Sequence, residues 1–422
     1  MSMYEDFWYE LSTLLLNSAI VWLPLLLLYI FGHLWLRTIR REYIQDIDWA
    51  LLEIRIPRDV SKSPQAMEIV LQSLYDTSRT GSWYKRWWLG RVRYWSSLEI
   101  VSIEGRIYFF VRVVRGYVDY FSSYLYSQYP GAEIREVDDY IKYVPPYHPD
   151  NDWELFGFER TLAKPDAYPL MTYVDFGMDQ DLGMDEEQRL DPLAPVLEYM
   201  STMRQTEHIY VQFLIRAATR KYSDPNRKWW QFTYRDWREE AQSVINDLKT
   251  KTFKSNLALV QSVVGDENQQ AAPLASFTDE QKKLITALER STTKKGFEVC
   301  MRTVYYAKKD HFRPEAFIGM INMWKHMSTD PFNSLSIDGD FATDFDHDWE
   351  DIRGYRIEKR KKEVFEAYRQ RSGFYWPHPR KSFILTTEEL ATLFHLPSAT
   401  VETQAFERID SKRAEPPTNL PI

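Results

Sequence analysis

The sequence predicts an α+β protein with a single N-terminal transmembrane helix, two ferredoxin-like (βαββαβ-type) units and a helical C-terminal region. Three observations lead there. Residues 11–36 contain no Asp, Glu, Lys or Arg. After residue 51, short alternating apolar runs interleave with segments of helical periodicity. The 422 residues also exceed one core at ~150 residues per domain.

Residues 1–10 are acidic (Glu5, Asp6, Glu10) and are expected outside the membrane. Residues 11–36 read LSTLLLNSAIVWLPLLLLYIFGHLWL, opening at Leu11. About 20 such residues cross the ~30 Å hydrocarbon core, so the run is long enough to span it with some tilt. Pro24 is tolerated in a membrane helix, and Trp22 and Trp35 are aromatic anchors, Trp35 suited to an interfacial belt. Arg37, Arg40 and Arg41 follow the run, and no Lys or Arg precedes it. The positive-inside rule then places the N-terminus outside the membrane and the remaining body in the cytoplasm. A cleaved signal peptide would need a basic start, a short apolar stretch and an A-x-A-like site, none of which fits.

Residues 37–51 form a juxtamembrane linker. Residues 52–143 read as the first ferredoxin-like unit. Its strand 52–56 precedes a helix from Ser63-Pro64 to residue 75, with Ser63 as N-cap and Pro64 at N1. A hairpin follows, 97–103 and 106–113 around Glu104-Gly105. A helix over 117–129, stopped by Pro130-Gly131, and a strand over 132–137 complete the βαββαβ order. The proline-rich stretch 144–149 is a boundary.

Residues 151–330 read as the second αβ unit, with segments 153–162 and 169–176. A helix over 193–204 is capped by Asp191 with Pro192 at N1, and a strand covers 208–217. Residues 222–276 are an insertion, a charged helix followed by a polar, disordered 265–276. Thr278 and Gln281 form a capping box for a helix through residue 294. A strand over 296–308 and a helix over 314–326 close the unit. Residues 331–398 hold an acidic loop, a basic helix over 352–371 and a short helix over 385–394; residues 399–422 are an extended tail.

Composition narrows function. The net charge of −8 excludes a globally basic nucleic-acid binder. Residues 1–41 carry three acidic and three basic groups, so the whole excess belongs to the body. The lone Cys300 excludes an intramolecular disulfide and reads as a small buried hydrophobe. No G-x-x-x-x-G-K-[ST], G-x-S-x-G or H-E-x-x-H pattern occurs. The eight histidines never pair at i, i+4, and the acidic run from Asp344 lacks the Gly and Glu of a calcium loop, having Trp349 and Tyr355 instead. No catalytic residue, cofactor or metal is expected.

Two segments carry candidate contacts. Residues 83–95 (WYKRWWLGRVRYW) interleave Trp83, Trp87 and Trp88 with Lys85, Arg86, Arg91 and Arg93. Trp and basic side chains suit a headgroup region or a partner protein, and such a segment can also stack on single-stranded nucleic acid or fold its rings inward. The basic helix presents Arg353, Arg356, Lys359, Arg360, Lys361 and Lys362 opposite an apolar stripe of Ile357, Val364, Phe365 and Tyr368. That pattern fits a solvated helix face or a contact to nucleic acid or an acidic partner.

The string ILTTEELATLFHLPSATVETQAFERIDSKRAEPPTNLPI (384–422) resembles the segment before the motor in type IV secretion (conjugation-type) ATPases of small-genome bacteria. LEIRIPRDVSKSPQAMEIVLQSLYDT (52–77), WWLGRVRYWSSLEIVSIEG (87–105), FERTLAKPDAYPLMTYVDFG (158–177) and DWEDIRGYRI (348–357) are similar to the same family's membrane-anchored N-terminal region. The resemblance implies a membrane platform subunit acting with a separately encoded P-loop ATPase, because the Walker pattern of the family's motor does not occur here. The expected partners are membrane lipid, a secretion-type ATPase in trans and further copies of the chain. A DNA- or anionic-lipid-binding module of the cell envelope is the alternative.

Overall fold

The computed structural model describes residues 2–57, 62–77, 81–179, 191–219, 222–223, 234–264, 277–343, 351 and 354–397. In chain order its elements are α1 (Ser2–Gln45), β1 (Trp49–Arg55), α2 (Pro64–Gln72), α3 (Trp83–Trp87), β2 (Ser96–Ile103), β3 (Arg106–Val114), α4 (Val118–Gln128) and β4 (Glu133–Glu136). There follow β5 (Trp153–Leu162), α5 (Ala194–Ser201), β6 (Glu207–Ala217), the two-residue β7 (Tyr222–Ser223) and β8 (Tyr234–Arg235), α6 (Trp237–Val264) and α7 (Asp279–Thr293). The last are β9 (Gly296–Lys308), α8 (Ala316–Asn322), β10 (Leu335–Ile337), α9 (Tyr355–Arg369), β11 (Phe383–Thr386) and α10 (Thr387–Leu393).

The chain divides into two compact units. The first joins Met1–Asp48 to Ser78–Tyr94 and is built on α1; the second contains everything else. Within the second unit an antiparallel sheet runs β10-β5-β9-β6-β2-β3-β1-β4, with β11 added to β9. The proline-rich boundary at 144–149 is therefore no break in the architecture. β2 pairs with β6 from Ser96↔Ile215 to Ile103↔His208, fusing the elements before and after that stretch into one sheet. Sequence shows where the chain turns, whereas edge-to-edge pairing of distant strands leaves no local mark.

Strand alternation sorts the second unit into two faces. Leu52, Ile54, Leu98, Ile100, Phe109 and Val111 point into the larger core, where α2, α4, α5, α8 and α10 cover the sheet. Leu51, Val101, Phe110, Tyr210, Val304 and Tyr306 point the other way, under Val364, Phe365 and Tyr368 of α9. A small third core joins α6 and α7 through Ala241, Ile245, Leu284 and Leu288.

Local signals are honoured where they rest on backbone chemistry. Ser63 Oγ accepts the Gln65 amide and Pro64 opens α2. Glu104 and Gly105 both take positive φ, 52° and 84°, as a two-residue hairpin of this hand requires. The Thr278–Gln281 capping box is complete, and Thr386 forms a second one with Glu389. Some extents differ. Residues 169–176, expected as regular structure, form turns in which Asp175 accepts from the Thr172 amide. The expected helix over 314–326 shortens to α8, and the basic helix over 352–371 to α9. β11 was not foreseen. The polar stretch 265–276, the end of the chain from 398, residues 344–350 of the acidic loop and Arg353 lie outside the described residues.

Candidate functional site

Three places bear on function. The first is α1. Within Asn17–Gln45 the most apolar 18-residue window has a mean hydropathy of 2.0 and none of it is buried, so one N-terminal helix is long and apolar enough to cross a membrane. Leu11, Trp22, Pro24 and Trp35 all lie on it, and Arg37, Arg40 and Arg41 sit on its continuation rather than in a linker. Helix simply persists through the charged residues, since Arg, Glu and Ile cost little there.

Residues 81–94 pack along the end of α1. Trp35 Nε1 donates to the Trp87 carbonyl at 3.3 Å, and the Trp35 and Trp88 rings lie 5.6 Å apart. One turn on, Gly90 is buried at φ +63°, and a Cβ there would collide with the Ile39 carbonyl. Two turns on, the Tyr43 and Tyr94 hydroxyls meet at 3.1 Å. Trp83, Tyr84, Trp87, Trp88 and Leu89 are exposed, as are Lys85 and Arg86. Arg91 and Arg93 are half-buried. The inward-folding alternative for this segment holds only for Trp95, which is buried in the second unit, lies 5.1 Å from the Trp49 ring in a tilted arrangement and donates to the Arg371 carbonyl.

The second place is a polar row across the α9 face of the sheet, which sequence reading missed. Glu99 on β2 lies opposite Gln212 on β6, Gln212 opposite Arg302 on β9, and Arg302 opposite Glu159 on β5. Gln212 Nε2 donates to Glu99 at 3.1 Å, Arg302 donates to Gln212 at 3.0 Å, and its Nε donates to Glu159 at 2.8 Å. The segment after α9 closes over the row. Arg371 donates to Glu99 at 2.6 Å and to Asp139 at 2.7 Å, Arg302 reaches the Ser372 carbonyl at 2.9 Å, and Arg380 reaches Glu159 at 3.2 Å. Tyr140 donates to Glu99 and also meets the Tyr368 hydroxyl.

Burial pushes the Glu99 carboxyl up, but the Arg371 guanidinium overrides it and holds the pKa below the ordinary value; Asp139 follows the same pattern. Burial lowers the Arg371 pKa, but Glu99, Tyr140 and Asp139 together outweigh it, and the pKa ends above normal. Glu99, Asp139 and Glu159 are thus each engaged by a guanidinium in one interlocked set. Chemically this is a clamp on residues 371–380, with its carboxylates engaged by guanidiniums rather than aimed at a substrate. The only signal available beforehand was charge inside apolar strands, as in SSLEIVSI and FEVCMRTVYYA.

The third place is α9. Arg356, Lys359 and Lys362 are exposed, whereas Arg360 donates to the Ala342 carbonyl at 3.1 Å and Lys361 pairs with Glu154 at 2.8 Å. Glu358, Glu363 and Glu366 are interspersed among them. Three of the basic residues are thus open to solvent, and two are engaged within the body. Cys300 is buried on β9, where burial pushes its thiol up to about 12. No group of three metal-binding side chains occurs among the described residues.

An apolar helix followed by a single large antiparallel sheet defines the class: an α+β protein with one candidate membrane span. Residues 40–408 match the family model described as a domain of unknown function, DUF8128, and the chain belongs to that family. No curated protein matches the chain.

Proposed function

We propose that the chain is a single-pass, non-catalytic platform that holds its αβ body on the cytoplasmic side of a bacterial inner membrane. There it docks a separately encoded P-loop ATPase of the secretion or conjugation type. The observation that carries the reading is α1, on which residues 20–31 are all exposed. A surface of that size in water is covered by lipid or by protein. The basic triplet Arg37, Arg40 and Arg41 after the run supports the orientation. The resemblance of residues 52–77 and 384–422 to secretion ATPases supports the partner.

In this reading the sheet is two ferredoxin-like units joined at β2 and β6. The orders β4-β1-β3-β2 and β10-β5-β9-β6, with α2 and α4 after the first and third strands of one and α5 and α8 after those of the other, support it. In the second unit α6 and α7 enter where a simple hairpin would join β6 to β9.

The test is gentle solubilisation of the full chain from its native membrane. Co-purification of a protein with Walker motifs and ATP hydrolysis is expected. A chain recovered repeatedly without one removes the docking role.

A further inference from the structure

The exposed aromatic–basic segment beside α1 is left without an occupant by the platform reading. Trp83 is 69% exposed and Trp88 56%, and Tyr84, Trp87 and Leu89 are also open. Five large apolar side chains within seven residues is a dense patch for water. Ser78–Tyr94 carries Arg79, Lys85, Arg86, Arg91 and Arg93 and no acidic residue.

The register on α1 sets its height. Trp35 is the penultimate residue of the charge-free run, and Arg37 begins the charged continuation. Trp88 and the Trp87 carbonyl meet α1 at Trp35, Gly90 meets it at Ile39, and Tyr94 at Tyr43. At 1.5 Å per residue, Gly90 is about 6 Å and Tyr94 about 12 Å beyond the level of Trp35. The aromatic end of the segment is therefore at the edge of the apolar run, where Trp and Tyr are favoured in bilayers. The basic groups accumulate on the charged side. Arg40 adds to them, and its buried Nε has no acceptor among the described residues.

We propose that α3 and the following Trp88–Arg93 form a second membrane contact. Trp83, Tyr84, Trp87, Trp88 and Leu89 sit in the headgroup–acyl boundary, while Lys85, Arg86 and Arg40 hold anionic phospholipid headgroups. The proposal rests on reading α1 as a span. The occupant is the same bilayer that α1 crosses, because the patch is continuous with the apolar run and its charge complements anionic lipid. Gly90 permits the arrangement: only a residue without Cβ lets the strap lie against the helix backbone there.

The test uses the full chain in vesicles of phosphatidylcholine, with and without phosphatidylglycerol. A nitroxide is placed at Trp83→Cys or Trp87→Cys, with Leu27→Cys as lipid reference and Tyr143→Cys, exposed on the second unit, as water reference. Cys300 is buried and its thiol is held protonated, so it takes no label. Positions 83 and 87 are expected to collide with oxygen rather than a water-soluble nickel chelate, as position 27 does. Lys85→Glu with Arg86→Glu is expected to return position 83 towards the water reference on anionic vesicles, a shift on the order of tenfold or more.

Water-like behaviour at 83 and 87 while position 27 stays lipid-like overturns the proposal alone. Shielding from both probes means the patch is covered by protein, and also overturns it. An unchanged reading after charge reversal removes the headgroup site. Water-like behaviour at position 27 itself overturns the span, and with it the platform reading.

Discussion

Leu25, Leu28 and Phe31 stand 62–66% exposed on α1, while Leu98, Leu125 and Phe109 in the second unit are fully buried. The same residue types take opposite positions, and the charges invert with them. Glu99, Arg302 and Arg371 lie inside the second unit, whereas residues 11–36 have no charge to bury or expose. One region has its apolar groups outward and the other has a charged row inward. The lesson is that neither is an exception once the neighbouring medium is considered. An outward leucine fits lipid, and an inward arginine is tolerated because each carboxylate around it is paired.

The comparison can be broken most sharply at Arg371. Arg371→Met leaves Glu99 buried without its guanidinium, and a loss of about 3–5 kcal/mol in unfolding free energy is expected. Adding Glu99→Gln should restore part of it. Urea unfolding of the solubilised full chain measures both, and a single-variant loss under about 1 kcal/mol would show the row to be incidental.

Acid probes the same pair. Glu99 and Asp139 have pKa values held below ordinary carboxylates, so their stabilisation is present above the unfolded pKa and is lost as pH falls through the lowered folded value. The body should therefore weaken in acid below about pH 4. Membrane retention of α1 should not change there, because residues 11–36 contain no carboxylate. An Arg371→Met chain should lose much of the acid step. An identical acid profile in both proteins would refute this assignment.

Leu26→Arg tests the other region. A charge in mid-span costs about 2.5–3.5 kcal/mol of insertion. Resistance of the chain to carbonate extraction should fall, while the unfolding midpoint of the body stays put. A body that unfolds with it would end the separation of the two regions. Gly90→Ala is smaller in reach: a Cβ at positive φ against the Ile39 carbonyl strains the strap by on the order of 1–3 kcal/mol. Faster amide exchange is expected in residues 81–94 and nowhere in the sheet. Smallest of all is Lys359→Ala with Lys362→Ala, expected within about 0.5 kcal/mol of the parent. A larger change would mean that the exposed face of α9 has a partner.

The two regions were not equally legible. α1 is written as composition, so its existence needs no tertiary knowledge. Ser63-Pro64, Glu104-Gly105 and Thr278–Gln281 are local backbone chemistry, and each appears at its residue. The polar row is a different case. Glu99, Gln212, Arg302 and Glu159 are up to 203 positions apart in sequence, and only the registers of three strand pairs bring them side by side. A charge within an apolar strand signals that something answers it, but not what. The strap on α1 was half legible. Its composition marked it, whereas the contact with Trp35, Ile39 and Tyr43 depends on a chain that leaves the second unit after Thr77 and re-enters it at Trp95.

That excursion has a mechanical corollary. The polypeptide passes between the two units three times, after residues 48, 77 and 94. A protease that nicks any one crossing leaves the other two intact. A cut at the first frees α1 covalently, yet α1 stays gripped by a strap that is itself rooted in the body at both ends. The attachment is redundant, as in a rope made fast at more than one cleat, so release requires cuts at all three crossings, or a cut at the first together with the loosening of the grip around Gly90.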